Sequence, residues 1–416
     1  MNSKQLILTS RKILLEPEKP REIWIDKSVQ FSWRIPKPAA ILILDAAGSD
    51  LIREVCGALP THVLDREKLN IPVLLATVLR GQKSMREYQN SYIRRVKPQL
   101  IITLIDNDLY FLTLKSTFPA ATTIAIQNGI RANYAPRAHS GFFSLLEKAE
   151  SPSCDYYCVF NHQVGTQLGS VIETTPVVTG SLKNNKFQST TELVKPFSIA
   201  FVSQHPPRAI PGSSEGIYFG NSFVPDRDFY KADFLVANYL ARFCSARKFE
   251  FIICGKRDQD FGHEFAMFSE TIGDHHWTYA PRVSDFSTYE TLDEANLVVS
   301  IDSTLGYEFL ARGKRTAFLS VRGELISKLL GKEIDELKFG WPADFESHGP
   351  FWTNLPSESE FDRVMEYLIT VDDVEWAREI AKYTEEVMVF DQGNTVLRGL
   401  LQRLGAKFMD QVPDHA

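Results

Sequence analysis

The chain has 416 residues, a length that predicts two domains at roughly 100–200 residues per domain. Hydrophobic residues make up 44% and charged residues 24%, which is typical of a globular protein and excludes a fibrous repeat or long-range disorder. The 46 basic and 52 acidic side chains give a net charge of −6, which argues against a protein that coats nucleic acid but leaves room for a local basic pocket.

The number and spacing of the cysteines and the lengths of the apolar runs indicate the cellular compartment of the protein. The cysteine count is odd, no pair has CxxC spacing and three members lie in apolar runs, so we expect reduced core residues rather than disulfides or ligands. These residues are Cys56, Cys154, Cys158, Cys244 and Cys254. No apolar run approaches the roughly 20 residues that span a bilayer, and the N-terminus lacks the apolar core of a signal peptide. We therefore expect a cytoplasmic protein, with peripheral contact at the inner face of the cytoplasmic membrane left open.

Short apolar strands alternate with helical patterns through most of the chain, which predicts parallel α/β layers. In the first half, five runs are apolar nearly throughout, as strands covered by helices on both faces should be. These strand candidates are 39–45, 99–106, 122–127, 155–160 and 176–180, with helix candidates at 48–57, 84–95 and 142–149. The polar stretch 181–196 then indicates a linker between two domains.

The alternation restarts in the second half. A strand is predicted at 197–204, followed by a Pro/Gly-rich stretch, 205–228, that predicts a long functional or mobile loop. A helix is predicted from about 229–248, with Asp226 and Asp228 near its N-terminus. Further strands are predicted at 249–255, 296–302 and 315–320, and further helices at 358–370 and 373–404.

Two consecutive α/β units of similar size predict two facing Rossmann-like domains with parallel sheets. We place an N-terminal domain at 1–190, a C-terminal domain at 191–375 and a helical tail at 376–416 that packs back on the N-terminal domain. Ligands of such sheets bind beyond the carboxyl ends of the strands. Functional residues are therefore expected just after positions 127, 180, 204, 255 and 302.

The segment SIDSTLGYEFLARGKRTAFLS (300–320) is the most informative of these places. A buried strand is predicted to end at Asp302, and Ser303, Thr304 and Gly306 then open a helix with Glu308 in its first turn. Backbone N–H groups and hydroxyls at such a helix start suit a phosphate. Serine is also an ordinary helix cap that needs no ligand, so spacing alone leaves both interpretations open.

Two more loops leave the same predicted sheet edge. His205 and Pro206 follow the strand 197–204, where the histidine suits a phosphate or a nucleotide carbonyl, although a surface turn explains the prolines. Lys256 and Arg257 follow the strand 249–255 and are suited to neutralise an anion, although a charged surface loop explains them as well. Because the fold brings all three loops to one edge, each supports the others.

The first domain offers a second cluster after the strand 122–127. Asn128–Gly129 is a strong turn signal that structure alone explains. Arg131 nearby is compatible with a carboxylate-bearing substrate, and Gln127 ends the strand beside it.

Several familiar sites are missing from the sequence. No GxGxxG, GxxxxGK[ST], HExxH or GxSxG pattern occurs, which disfavours dinucleotide oxidoreductases, P-loop NTPases, zinc proteases and α/β-hydrolases. A DxD-like pattern at Asp106–Asp108 follows a strand, but its helical context favours capping. We expect no metal and no cofactor.

The facing domains look like the GT-B architecture of glycosyltransferases. The strings IAIQNGIR, VTGSLKNN, FYKAD and above all SIDSTLGYEFLARGKRTAFLS resemble a bacterial surface-carbohydrate biosynthesis family, over roughly residues 35–330. That family includes retaining β-Kdo transferases that act on lipopolysaccharide and capsule precursors. The resemblance implies an enzyme that transfers Kdo, or a related ulosonic acid, from a CMP-activated donor to a saccharide acceptor that is lipid-linked. Such a role implies no nucleic-acid partner, and peripheral association with the membrane or with other polysaccharide-assembly enzymes.

The same resemblance implies roles for particular residues. In bacterial sialyl- and Kdo-type transferases of this architecture, a His-Pro pair and a Ser/Thr pair hold CMP, which correspond here to His205–Pro206 and Ser303–Thr304. The acidic motif that sialyltransferases use as a base is absent, and Gln127–Asn128–Gly129 stands in its place, which disfavours an inverting sialyltransferase. Retaining Kdo transferases use an Asp nucleophile, which we match to Asp233.

Two interpretations from other classes stay open. One is a CDP-polyol phosphotransferase or a nucleotide-sugar epimerase of the same two-domain architecture. The other is a non-catalytic scaffold of polysaccharide assembly, in which the residues at the strand ends are only helix caps. Asp302 is the alternative nucleophile, and a first-turn helix acid is the plain structural explanation of Asp233.

Overall fold

The protein is described by a computed structural model that covers residues 30–135, 141–189, 196–204, 215–256 and 261–409. The strands of these ranges are β1 (Gln30–Ser32), β2 (Ile41–Leu44), β3 (Thr61–Leu64), β4 (Lys68–Asn70), β5 (Leu100–Thr103), β6 (Thr122–Ile126), β7 (Tyr134–Ala135), β8 (Ser153–Val159), β9 (Glu173–Val178), β10 (Ser198–Val202), β11 (Gly216–Phe219), β12 (Ser222–Pro225), β13 (Glu250–Cys254), β14 (Thr278–Ala280), β15 (Leu297–Ser300), β16 (Thr316–Leu319), β17 (His348–Gly349) and β18 (Trp352–Thr353).

The helices of the same ranges are α1 (Ser49–Cys56), α2 (Ile71–Leu79), α3 (Met85–Val96), α4 (Leu114–Thr117), α5 (Phe142–Lys148), α6 (His162–Gly169), α7 (Leu182–Lys186), α8 (Asp226–Phe229), α9 (Lys231–Arg247), α10 (Phe261–Ile272), α11 (Ser287–Glu294), α12 (Thr304–Ala311), α13 (Arg322–Leu330), α14 (Glu358–Thr370), α15 (Asp373–Ile380), α16 (Thr384–Val387) and α17 (Thr395–Met409). Two short 3-10 helices lie at Phe111–Thr113 and Asp335–Leu337.

The first large sheet has the strand order β3-β2-β5-β6-β8-β9, and all its neighbours are parallel. Its central strands are apolar because helices cover both faces, and all four side chains of β2 are buried. The sheet starts at β2, adds β3 on one side and then grows outward on the other side from β5. The loops after β2 and β5 therefore diverge, which opens a crevice at the carboxyl edge.

The second large sheet has the order β14-β13-β10-β15-β16-β18-β17. Its strands run parallel except for β17, which pairs antiparallel with β18. In chain order the six parallel strands read 3-2-1-4-5-6, the doubly wound order, so the chain reverses direction between β10 and β15. The two parallel sheets confirm the predicted α/β class.

Contacts also join the two halves of the chain. β7 pairs antiparallel with β11, and β11 pairs with β12, so a short strand that follows the first sheet completes a small sheet with a hairpin of the second half. At the C-terminal end, α17 packs on the first sheet: Leu397 and Leu401 share a buried cluster with Ile41 and Ile52. The domain boundaries at 190 and 375 stay predictions.

Every predicted strand overlaps an observed one, but two other sequence predictions were wrong. The second half of the predicted loop 205–228 is the β11–β12 hairpin, whose turn residue Gly220 has a φ of 61° that only glycine adopts easily. The segment 181–196 contains the short helix α7, which begins with the Ser181 hydroxyl accepting from the N–H of Asn184, and its role as a linker between domains stays a prediction. The predicted helix 373–404 is divided into α15, α16 and α17, with Asn394 in the left-handed region at φ 58° just before α17. The strand β3 and the helix α2 were not predicted.

Candidate functional site between the two sheets

A cavity of about 190 Å³ lies between the two halves of the molecule. Its lining comes from the segment that follows β6, from the loops after β10 and β15, and from the segment around the second 3-10 helix. The lining residues are Gly129, Ile130, Ala132, Tyr134, Gln204, Asp302, Ser303, Thr304, Tyr307, Glu336, Leu337, Lys338 and Trp341. The loops after β10 and β15 are those between which the second sheet reverses, so the cavity lies where a doubly wound sheet binds its ligands.

The N-terminus of α12 opens into this cavity. Ser303 is the N-cap residue with an extended backbone, and its side chain makes no capping hydrogen bond. The helix packs closely on β15, since a Cβ atom on Gly306 would lie 2.4 Å from the Cβ of Ser300. Gly306 thus has a packing role beneath the cavity, while the Ser303 and Thr304 side chains line it. The unpaired N–H groups of a first helical turn favour an anion at this place.

Thr304 also connects the two halves. The backbone N–H of Ile130 donates to its Oγ1 at 3.3 Å. The turn 128–131 after β6 therefore lies directly against the start of α12, and the predicted first-domain cluster meets the residues that the resemblance matches to a CMP site.

Asp302 lines the cavity and is held from behind by Arg322. The guanidinium of Arg322, at the start of α13, donates from Nε to Asp302 Oδ2 at 2.7 Å. It also donates from Nη2 to Asp233 Oδ2 at 2.9 Å and to Gln204 Oε1 at 3.1 Å. Burial lowers the pKa of Arg322, but the Asp302 and Asp233 carboxylates outweigh it and raise the pKa well above its ordinary value. One buried cation therefore fixes residues from two loops and from helix α9.

Asp233 lies in α9, behind the cavity lining. Its side chain is fully buried, and besides Arg322 it accepts from the backbone N–H of Gln204 at 3.1 Å. The Asp302 side chain is 14% exposed and reaches the cavity. The structure thus brings both candidate carboxylates to one guanidinium, with Asp302 nearer to the space that a ligand can enter.

Tyr134 faces the same space from the other half of the chain. Burial and the Asp302 carboxylate raise the pKa of its phenol to about 12, so the hydroxyl stays protonated near neutral pH. Its ring packs 5.4 Å from the ring of Phe219 and 5.7 Å from that of Phe229, measured between centroids. A neutral O–H in a polar cavity can donate a hydrogen bond to an anionic or sugar ligand.

The first-domain residues of the sequence prediction are occupied by local contacts. Arg131 donates from Nε to Asp106 Oδ2 at 2.8 Å and from Nη2 to Asn128 Oδ1 at 2.6 Å. Gln127 is buried, donates to the Gly129 carbonyl at 3.0 Å and accepts from the N–H of Phe160 at 2.9 Å. These pairs hold the turn against the sheet.

Glu308 and Lys256 lie outside the cavity lining. The Glu308 carboxylate is buried and accepts from the hydroxyls of Ser181 and Tyr289, so it joins α12 to the start of α7. The Lys256 ammonium donates to the Gln204 carbonyl at 3.3 Å, which ties the loop after β13 to the loop after β10. His205, Pro206 and Arg257 lie outside the described residues.

Metal ligands are not grouped in the part of the chain that the structure describes: no three His, Cys, Asp or Glu side chains there come together as a possible site. The five cysteines are all buried.

The sequence analysis missed two residues of the site, Arg322 and Tyr134. The only sequence signal for Arg322 was its position just after a strand of the second sheet.

Comparisons with solved structures show what the fold resembles. The chain is similar to S. aureus MnaA in a co-structure with UDP, at a TM-score of 0.50 and 10% identity, over 90% of this chain and 98% of that one. It is similar to the wall teichoic acid polymerase TagF, at a TM-score of 0.51 and 10% identity, over 91% of each chain. It is also similar to sucrose-phosphate synthase from Thermosynechococcus elongatus, at a TM-score of 0.50 and 13% identity, over 89% of this chain and 100% of that one. At such identities the likeness shows the fold alone.

The two facing parallel sheets and these likenesses define a GT-B-like protein of two Rossmann-like domains, as the sequence predicted. Residues 124–405, more than half of the chain, match the family described as "putative O-antigen biosynthesis protein". The chain belongs to that family of surface-carbohydrate biosynthesis. No curated protein matches the sequence. Among the helices of the described ranges, none has the length and apolar character needed to cross a membrane.

Proposed function

We propose that this protein is a glycosyltransferase of surface-polysaccharide biosynthesis that transfers Kdo, or a related ulosonic acid, from a CMP-activated donor. The observation that carries the proposal is the cavity where Asp302, Ser303 and Thr304 meet the turn after β6. Membership of the O-antigen family supports the surface-polysaccharide role. The CMP and Kdo specificity rests on the sequence resemblance around 300–320.

The donor phosphate would bind at the start of α12. Its oxygens would accept from the N–H groups of the first helical turn and from the hydroxyls of Ser303 and Thr304, where the helix dipole favours negative charge. His205 and Pro206, next to Gln204 in the chain, and Arg257 would complete the CMP site, while Lys256 would support it by holding the Gln204 carbonyl. CMP leaves as a monophosphate, so the reaction has no diphosphate for Mg²⁺ to neutralise. We therefore propose a metal-independent enzyme.

The acceptor would enter from the side of the turn 128–134. Ile130 and Tyr134 line the cavity there, and the Asn128 side chain is exposed beside it. Because Arg131 is paired with Asp106, its role would be to hold this turn in place rather than to bind a carboxylate directly. We propose a saccharide acceptor carried on a lipid.

Retention at the anomeric carbon needs front-face attack within an ion pair or two displacements through a covalent intermediate. In the second route a carboxylate oxygen attacks the anomeric carbon, and CMP leaves with the electrons of the broken C–O bond. An acceptor hydroxyl then attacks the same carbon, the carboxylate leaves with the electrons of its C–O bond, and the hydroxyl proton passes to water. We propose Asp233 as the nucleophile, which requires Arg322 to release its side chain, with Asp302 as the alternative already facing the cavity. Mapping a Kdo-sized mass adduct on protein given donor alone assigns the residue.

A thermal-shift panel of CMP, CDP, UDP and GDP, followed by a transfer assay from CMP-Kdo in EDTA, tests the proposed function. We expect stabilisation by CMP above the other nucleotides, and transfer without added metal. A response to CDP or UDP alone would favour the phosphotransferase or epimerase. A response to none of them would favour a scaffold, and a strict Mg²⁺ requirement would overturn the metal-free site.

A further inference from the structure

Two adjoining segments of the first half expose large apolar side chains. Phe31, Trp33 and Ile35 lie on and just after β1, and their exposures are 50%, 73% and 53%. Leu75, Val78 and Leu79 lie on α2, and Leu79 is 86% exposed. We call these six side chains the apolar patch. Single exposed apolar residues are ordinary, but six on adjoining segments indicate a surface with a partner.

The composition of α2 makes this exposure unusual. Its sequence, IPVLLATVL, is apolar at every position except Thr77, and Thr77 is buried. A helix that is apolar all round is normally enclosed on all sides. Here Val73 and Thr77 face the protein, while Leu75, Val78 and Leu79 share the outer face because helical neighbours repeat every three to four residues. The outer face of α2 is therefore built of side chains that water does not favour.

The two segments are fixed to each other by Asn70. Its side chain caps α2 by accepting from the N–H of Val73 at 3.1 Å, and it donates to the carbonyl of Arg34 at 2.7 Å. Its backbone N–H donates to the Tyr88 hydroxyl at 2.8 Å. Strands β1 and β4 are also paired in parallel. The patch is thus presented by a connected scaffold rather than by a loose loop.

The charged side chains within the two segments that carry the patch have one sign. Residues 31–40 and 71–86 contain no Asp or Glu, and they contain five basic residues. These are Arg34, Lys37, Arg80, Lys83 and Arg86, all exposed. Within the described residues no ion pair is seen at any of the five. An apolar face flanked by exposed cations suits the boundary between acyl chains and anionic headgroups.

We propose that the apolar patch and its flanking basic residues dock the protein on a bilayer that contains anionic phospholipid. Trp33 and the outer face of α2 would enter the headgroup region, where tryptophan rings are favoured, and the basic residues would contact the phosphates. This surface is built from residues other than the cavity lining, so the inference does not depend on the proposed function.

Vesicle sedimentation of the full chain tests the inference, with phosphatidylcholine vesicles compared with vesicles that also contain phosphatidylglycerol. We expect the protein to sediment with the anionic vesicles and to stay in solution with the neutral ones. A variant with Trp33→Ser and Leu79→Ser should lose sedimentation. The matched control is Val283→Ser with Val374→Ser, since these valines are 71% and 79% exposed elsewhere on the surface.

A second pair of variants tests the charges. Replacing Arg34, Lys37, Arg80 and Lys83 with Gln should weaken partitioning at least about tenfold, because each basic residue near an anionic surface adds to binding. Replacing the exposed residues Lys248, Lys328, Arg378 and Arg403 with Gln removes the same charge elsewhere and should have little effect. Thermal unfolding of each variant shows that it is folded.

Wild-type protein that stays in solution with anionic vesicles would overturn the inference. That result would favour another occupant of the patch, either residues 1–29 or a second copy of the chain. Analytical ultracentrifugation would detect the second copy as a dimer. Equal sedimentation of the patch variants and their controls would overturn it as well.

Discussion

Arg322 is the residue on which most of the site depends. It is fully buried and joins Asp302, Asp233 and Gln204, and its guanidinium lies 4.5 Å from the centre of the Phe229 ring. A buried cation costs free energy unless its partners satisfy it, and here two carboxylates and an amide do so. Removing it would leave two carboxylates without their shared partner.

We expect Arg322→Met to lower the free energy of unfolding by about 3–5 kcal/mol, because it leaves buried negative charge uncompensated. Denaturant unfolding measures this loss. The matched control is Arg242→Met, which breaks an ion pair with Glu358 whose side chains are 46% and 65% exposed, and it should cost far less because water solvates both groups. Equal effects of the two substitutions would contradict the importance of the buried pair.

Asp233 is the residue that we propose as the nucleophile. We expect Asp233→Asn to bind CMP like the wild type and to lose transfer by orders of magnitude, because an amide cannot form the covalent intermediate. The check is CMP titration together with a transfer assay. Full activity in this variant, or an adduct mapped to Asp302, would refute the assignment.

For single residues, the sequence predicted positions in the fold better than it predicted side-chain contacts. It located Asp302, Ser303 and Thr304 at a strand end, because an apolar run followed by Ser-Thr-x-Gly indicates a strand and a helix start. It could not predict that Glu308 turns away from the cavity toward Ser181, since that depends on which helix face the other half of the chain covers. Nor could it find Arg322, because its partners lie 20 to 118 residues away in the chain.

The contact between α12 and β15 decides how the phosphate site is held. Gly306→Ala should lower the free energy of unfolding by about 1–3 kcal/mol, since the new Cβ would lie 2.4 Å from the Ser300 Cβ and crowd the strand. Gly399→Ala is the control: in α17 the new Cβ would meet only Arg403 Nη1, at 3.5 Å, so it should raise the free energy of unfolding by about 0.5–1 kcal/mol. Thermal or denaturant unfolding measures the change in the free energy of unfolding for each variant. Changes of the same sign would contradict the close packing of Gly306 on β15.

The junction between α12 and α7 should respond to pH. Burial is the main reason that the pKa of Glu308 is raised above its ordinary value of 4.5. The folded state therefore keeps this proton longer than the unfolded state, and stability from Glu308 is lost as pH rises through the raised pKa. We compare the free energy of unfolding of the wild type with that of Glu308→Gln, measured by denaturant unfolding at several pH values. The wild type minus the variant should give a difference that falls as pH rises from about 4.5 toward neutrality. A difference that grows with pH would contradict the direction of the shift.

For the whole molecule, the fold could be predicted from the sequence, but the site between the two sheets could be predicted only in part. Parallel strands such as β2 and β15 are fully buried and almost entirely apolar, and their alternation with helical patterns predicted two Rossmann-like domains with parallel sheets. The pairing of β7 with β11 and the bond from Ile130 to Thr304 depend on how the halves approach each other. Local patterns carry no information about that approach. The β11–β12 hairpin was missed for a related reason, since its strands are short and follow a Pro-rich stretch.

We propose that CMP binds at the cavity between the sheets through the start of α12. Isothermal titration of CMP into the wild type and into the Ser303→Ala/Thr304→Ala variant tests it most directly. Thr304→Ser keeps a hydroxyl as the conservative variant, and the exposed pair Ser116→Ala/Ser245→Ala is the matched control. The double variant should stay folded and bind CMP at least about tenfold more weakly, because it loses hydrogen bonds to a charged group. Unchanged CMP affinity in that variant would contradict it.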